Sequence, residues 1–169
     1  PRPFSRLRDH RRHSPGGFPG SSLQSVRVGD GPAGKAPRPS AGKLTTIDRL
    51  TADRLPEPNI HNLIRELDLS HRVEPIFAHR SFTWELSKLM RMDPTPRFDL
   101  CYFDGGHTWD DTGFGFTLVN YLLKPGGVIV FDDINWTISG SKSYKRDSEL
   151  MSRFSEDEQA CQSVRLVWD

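Results

Sequence analysis

Phe98-Asp-Leu-Cys-Tyr-Phe-Asp104 and, one helix length later, Val128-Ile-Val-Phe-Asp132 decide the fold. Each is a short, nearly continuous apolar run, the pattern of a strand buried on both faces, and each closes on an aspartate. Between them, Asp110 or Asp111 is placed to cap a helix whose apolar stripe is Phe114, Leu118, Tyr121 and Leu122. Lys124-Pro-Gly-Gly127 carries the residues that end such a helix. Strand, helix and strand at this spacing make a parallel crossover unit, which is right-handed.

The same alternation extends upstream. Leu44-Thr-Thr-Ile-Asp48 is a β-branched run that again stops at an acid. From Asn59, suited to cap and preceded by Pro56 and Pro58, the residues Ile60, Leu63, Ile64 and Leu67 recur at helical spacing. Val73-Glu-Pro-Ile-Phe77 is a further extended run, and residues 82–90 predict a helix with Leu86, Leu89 and Met90 on one face. Downstream the chain is polar through Lys145, with a helix expected around residues 148–154 and a last strand at residues 163–168. The expectation is a Rossmann-like α/β domain over residues 44–169, a doubly wound and mostly parallel sheet with helices on both faces.

Residues 1–43 differ in kind. They carry nine Lys/Arg against two Asp/Glu, with seven of the thirteen prolines and few large aliphatic residues. Such a segment buries too little apolar surface to offset the entropy of ordering, so a flexible basic segment is expected there. Arg2, Arg6, Arg8, Arg11 and Arg12 admit a nucleic-acid arm, but a solvated tail accounts for them as well and no nucleic-acid partner is expected. Gly29-Asp-Gly-Pro-Ala-Gly34 matches GxGxxG, yet only nine residues, Pro37 and Pro39 among them, separate it from Leu44. A parallel crossover needs a dozen or more, so the match reads as a product of composition.

The length suits one core. Cys101 and Cys161 stand far apart without metal or disulfide spacing, and no apolar run is long enough to span a membrane. A cytoplasmic protein acting on a small-molecule substrate is expected, with self-association left open.

In open α/β sheets the ligand crevice lies outside the carboxyl ends of the strands. Asp48, Asp104, Asp132 and Asp133 all fall there. Neighbouring strands stand about 4.8 Å apart, so Asp104, Asp132 and Asp133 would converge and repel unless a cation sits among them. A hard divalent ion, magnesium or calcium, suits an all-oxygen set; the alternative is that these aspartates satisfy loop amides or cap helices. His107, three residues past Asp104 beyond Gly105 and Gly106, is placed to act as a base, or simply to order its loop. Asp48 is placed to accept hydrogen bonds from a nucleoside ribose, or to cap a turn. His61 and His71 have no ligand spacing. Trp109 and Trp136 flank the crevice, where packing is the commoner role.

FDLCYFDGGHTWDDTGFGFTLVNYLLKPGGVIVFDDINW, residues 98–136, resembles the class I S-adenosylmethionine-dependent methyltransferases. LLKPGGVIV is similar to their segment leading from helix into fifth strand. DGGHTWDD is similar to the DGDHSYE-type motif of a subgroup of sugar and antibiotic O-methyltransferases. The resemblance covers roughly residues 43–169. It implies that Asp48 binds the ribose hydroxyls, that the loop holding His79 and Ser81 lies near adenine, and that Asp104, Asp132 and Asp133 hold a metal. The metal-dependent branch commonly has asparagine where Asp133 stands, and a lysine base where His107 stands.

The resemblance departs at both ends. Residues 1–43 offer no acidic-glycine turn followed by a helix, and the antiparallel last strand is not reached. The sheet is therefore expected to be incomplete at its first strand and at its C-terminal edge. Three functions follow: an S-adenosylmethionine-dependent O-methyltransferase assisted by a metal; a catalytically inactive methyltransferase-like binding or dimerisation module; and, resting on GxGxxG with Asp48, an NAD-dependent oxidoreductase.

Overall fold

The computed structural model describes residues 24–28, 42–55 and 59–169, the first group by its backbone. The GxGxxG stretch, the N-terminal arginines, Pro56 and Pro58 lie outside the described residues. In chain order the elements are β1 (Gln24–Val28), β2 (Lys43–Arg49), α1 (Leu50–Asp53), α2 (Ile60–Glu66), β3 (Val73–Ala78), α3 (Phe82–Met90), β4 (Phe98–Phe103), α4 (Trp109–Leu122) and β5 (Leu123–Phe131). Four short helices follow: α5 (Lys142–Lys145), α6 (Ser148–Met151), α7 (Glu156–Ala160) and α8 (Ser163–Trp168).

The strands form one sheet in the order β3-β2-β1-β4-β5. β2 pairs with β3 in parallel, as does β4 with β5, each pair joined through helical segments as the alternation of apolar runs requires. The central strand is the correction. The sheet, expected to lack its first strand, has β1 there, and β1 runs antiparallel to both neighbours, pairing Val28 with Lys43 and Ser25 with Tyr102. The sheet is thus mixed rather than mostly parallel. The chain also leaves β1 at the end where β2 begins, opposite the end where β2, β4 and β5 finish.

One face of this sheet holds the core. Ile47, Ala78, Cys101 and Phe103 meet Leu86 and Leu89 of α3 and Leu118, Val119 and Leu122 of α4, all buried, with Ile76, Ile129 and Phe131 packed alongside. Each large side chain so buried contributes about 1.5–3 kcal/mol relative to exposure. The two helices meet over Gly115, where a Cβ would stand 2.6 Å from Phe82 Cε2 and 2.7 Å from Phe103 Cζ. Only glycine lets α4 approach that closely. On the opposite face Val128 and Val130 of β5 remain 53% and 43% exposed, so helical cover on both faces is not seen there.

Local chemistry explains most boundaries. Asn59 caps α2 by accepting from the amides of His61 and Asn62, and Ser81 caps α3 by accepting from Thr83 N. α4 departs from expectation: its N-cap is Thr108, with Asp110 and Asp111 inside the first turn, where they complement the helix dipole. Lys124-Pro-Gly-Gly127 is not the helix stop either. It forms an irregularity within β5, where the register jumps from Phe98 opposite Leu123 to Leu100 opposite Val128 and Gly126 takes φ +79°. Residues 163–168, expected as a strand, form α8, which packs on α4. Its buried Val164, together with Val167 lying over Gly113, gives the run a helical contact face.

Candidate functional site

β4 ends at Phe103, and Asp104 follows at the rim of the sheet. Gly105 and Gly106 then turn the chain back onto α4. The turn is fixed from the helix side: Thr112, fully buried, donates from Oγ1 to the carbonyl of Gly106 over 2.8 Å. A Cβ at Gly106 would stand 2.6 Å from Asp111 Cβ and Oδ2, so the close approach requires glycine. His107 is thereby carried inward and left only 7% exposed. Trp136 lies over its ring with centroids 5.2 Å apart and planes 32° apart, closing that side to water.

β5 brings up the other half. Asp132 N donates to Phe103 O over 3.0 Å, extending the β4–β5 pairing past the strand ends. Asp133 then takes φ +53°, a left-handed conformation that aspartate and asparagine tolerate better than other side chains. The result is a compact group: His107 Nε2 stands 3.1 Å from Asp133 Oδ2 and 3.7 Å from Asp104 Oδ1. One ligand atom from each of Asp104, His107 and Asp133 lies within 4.8 Å of the others. Asp104 is buried while the Asp133 side chain is half exposed. Although 3.1 Å from a carboxylate, His107 Nε2 makes no aligned hydrogen bond and is itself buried. The contact is one of proximity.

Asp132 is committed elsewhere. Its Oδ2 accepts from the Tyr102 hydroxyl and its Oδ1 from Asp133 N at 2.7 Å. The Tyr102 hydrogen bond first, and the Asp133 amide second, hold the Asp132 carboxyl below the usual carboxylate range. The same bond, reinforced by burial and by the charges of Asp132, Asp104 and Asp133, pushes the Tyr102 phenol up to about 12. Asp111, unlike Asp132, is raised: burial, then the neighbouring Asp110, lifts it against the pull of Thr108 and His107.

Because β2 and β4 both run antiparallel to β1, they are parallel to each other and finish at the same edge. Asp48, one residue from the end of β2, therefore shares the rim with Asp104, two strand spacings or about 10 Å away. Its Oδ1 accepts from Arg49 N. His79 is exposed just past β3, and Ser81 serves as the α3 cap, its hydroxyl also touching Thr83 Oγ1. Trp109 is 56% exposed and Trp136 packs at the site, so the two tryptophans of the crevice part company.

Sequence reasoning missed Tyr102 and the tie from Arg165 to Asn135, whose side chains meet at 2.8 Å across 30 residues of chain. Tyr102 was findable, since strand alternation puts it on the same face as Asp104, two residues on. Asp132 through Trp136 line an open cleft of about 470 Å³ beside the group. A larger opening of about 630 Å³, bounded by Arg97, Tyr121 and Lys124, sits at the opposite end of β4, away from every residue of this site.

A family model described as a methyltransferase domain matches residues 21–134. The match takes in the whole sheet and Asp48, Asp104, His107, Asp132 and Asp133. No curated protein and no solved structure matches the chain significantly.

Proposed function

The chain belongs to the methyltransferase domain family, and from that premise we propose that it transfers the methyl group of S-adenosylmethionine to an oxygen of a small hydroxylated substrate, assisted by a divalent cation. The observation that carries the proposal is the convergence of Asp104, His107 and Asp133 at the carboxyl ends of β4 and β5, on the same rim as Asp48. Rim carboxylates of this kind are where open α/β sheets bind ligands.

Asp48, half-buried near the end of β2, is the acceptor for the paired ribose hydroxyls, and His79 and Ser81, just beyond β3, border the adenine. The cofactor supplies an electrophilic methyl on a sulfonium. A cation, when bound, would supply charge stabilisation to a hydroxyl whose proton passes to solvent at the open Asp132–Trp136 cleft, while the sulfonium leaves as the neutral thioether S-adenosylhomocysteine. The residues present fit one: a buried imidazole nitrogen without an aligned hydrogen bond faces two carboxylates that repel each other when the space between them is empty. Asp104 and Asp133 set the position of the substrate oxygen, and Trp136 keeps water from the buried side. Rate enhancement then comes chiefly from positioning and electrostatics.

The test is competition of S-adenosylhomocysteine against labelled S-adenosylmethionine on the wild type, Asp48→Ala and Asp104→Asn. Asp48→Ala weakens cofactor binding, whereas Asp104→Asn leaves it within about twofold and lowers transfer to hydroxylated acceptors. Equal cofactor affinity in Asp48→Ala refutes its role.

One observation favours a second reading. β1 runs antiparallel to both of its neighbours, and its last residue, Val28, stands at the end of the sheet opposite Asp48 and Asp104. A dinucleotide-binding sheet is built on a parallel first strand, so the antiparallel β1 counts against an NAD-dependent oxidoreductase. It favours instead a methyltransferase-like module that binds without turnover. Retention of metal binding with no cofactor binding distinguishes that module from an enzyme.

A further inference from the structure

Resting on the cation reading above, we infer that His107 is a metal ligand rather than the proton acceptor, so that the site is an Asp104–His107–Asp133 set selecting a nitrogen-accepting transition ion, such as cobalt or zinc, over magnesium or calcium. Three observations converge on this.

The first is the state of the imidazole. His107 is more than nine-tenths buried, its Nε2 makes no aligned hydrogen bond, and that nitrogen faces Asp133 Oδ2 and Asp104 Oδ1 at 3.1 and 3.7 Å. Burying a polar nitrogen without a partner is costly. A general base presents its ring nitrogen to the substrate, whereas Nε2 of His107 faces two carboxylates.

The second is spacing. Two ligands about 2.1 Å from one ion, at tetrahedral or octahedral angles, stand about 3.0–3.4 Å from each other. The separation of His107 from Asp133 falls inside that range and the one from Asp104 about 0.3 Å above it, a gap that small side-chain rotations would close.

The third is the composition of the group. Both oxygens of Asp132 are engaged, by the Tyr102 hydroxyl and by Asp133 N. The set that remains is two carboxylates and one imidazole, which balances a divalent charge. Magnesium and calcium favour oxygen, whereas imidazole suits zinc, copper, iron and nickel, and the general affinity order rises from manganese to copper. Replacing one carboxylate by imidazole therefore moves the preference away from the hard ions.

The measurement is calorimetric titration of the full chain with manganese, cobalt, magnesium and calcium chlorides, together with pulsed EPR of the manganese-loaded protein to detect a directly bound ¹⁴N. Cobalt binding should bring visible absorption bands. Cobalt should bind at least about tenfold more tightly than magnesium, the EPR of the manganese probe should show nitrogen coupling, and His107→Ala should lose at least about tenfold in cobalt affinity. The spectroscopy on the wild type makes the test independent of whether the variant folds. Nitrogen-free spectra with equal affinities for magnesium and cobalt overturn the inference while leaving a carboxylate cation site intact. Absence of binding by any of the four ions overturns both. Failure of S-adenosylhomocysteine to bind would remove the methyl-transfer reading and leave the metal result standing.

Discussion

Two glycines of α4, two residues apart, should respond to the same substitution with opposite signs. Replacing a helical glycine by alanine gains roughly 1 kcal/mol from backbone entropy when nothing else changes. At Gly113 nothing else does: an added Cβ meets only Val167 Cγ2 at 3.8 Å, an ordinary contact, so Gly113→Ala should stabilise by about 0.5–1 kcal/mol. At Gly115 the Cβ would sit 2.6 Å from Phe82 and 2.7 Å from Phe103, and Phe103 is 2% exposed with no room to retreat. Overpacking of that kind costs about 1–3 kcal/mol, which exceeds the propensity gain, so Gly115→Ala should destabilise by about 1–2 kcal/mol. Urea unfolding followed by circular dichroism reads both as a shift of midpoint at constant slope. Gly115→Ala as stable as the wild type would refute the close approach of α4 to α3 and β4, and with it the placement of the turn that carries His107.

The Tyr102–Asp132 bond gives two signatures in pH. A folded tyrosine raised to about 12 contributes stability that is full below the ordinary phenol value of 10 and is lost as pH climbs from there through about 12, so absorbance titration should show a late-titrating tyrosine that Tyr102→Phe removes. Asp132, depressed below 3.8, contributes stability present above that value and lost as pH falls through its lower folded one; Tyr102→Phe should therefore move acid unfolding to higher pH. Burial pushes the Cys101 thiol up to about 12, so a thiol reagent at pH 8 should label the half-buried Cys161 and reach Cys101 only on unfolding; rapid labelling of both would contradict the core. Thr112→Val keeps the volume and deletes the hydroxyl that holds Gly106 O, so about 1 kcal/mol of stability and part of the metal affinity should go together. Loss of stability with unchanged cobalt titration would separate the turn from the site.

Much of this arrangement is legible along the chain because it is local. The limits of α3, the Asn59 cap, and the aspartates closing β4 and the segment after β5 follow from apolar spacing and from residue types that interact within four positions. What is not legible is decided across the sheet. The direction of β1 depends on which partner strands its five residues meet, and a short run such as Gln-Ser-Val-Arg-Val carries no mark of sense. The six residues of α8 form an apolar run too short for periodicity to assign, and contact with α4 decides it. Lys124-Pro-Gly-Gly127 holds residues that serve equally to end a helix or to kink a strand. At the site, convergence of Asp104, Asp133 and His107 could be read from strand ends. Withdrawal of Asp132 to Tyr102, 30 positions away in sequence, could not.

The central claim is that this rim binds the cofactor of methyl transfer, and isothermal titration of the folded chain with S-adenosylhomocysteine, with and without manganese, tests it most directly. Saturable binding of one equivalent, weakened in Asp48→Ala, is the result predicted. A folded chain that binds manganese but shows no heat with S-adenosylhomocysteine under either condition would contradict it, and would leave a methyltransferase domain that has kept its metal rim without its cofactor site.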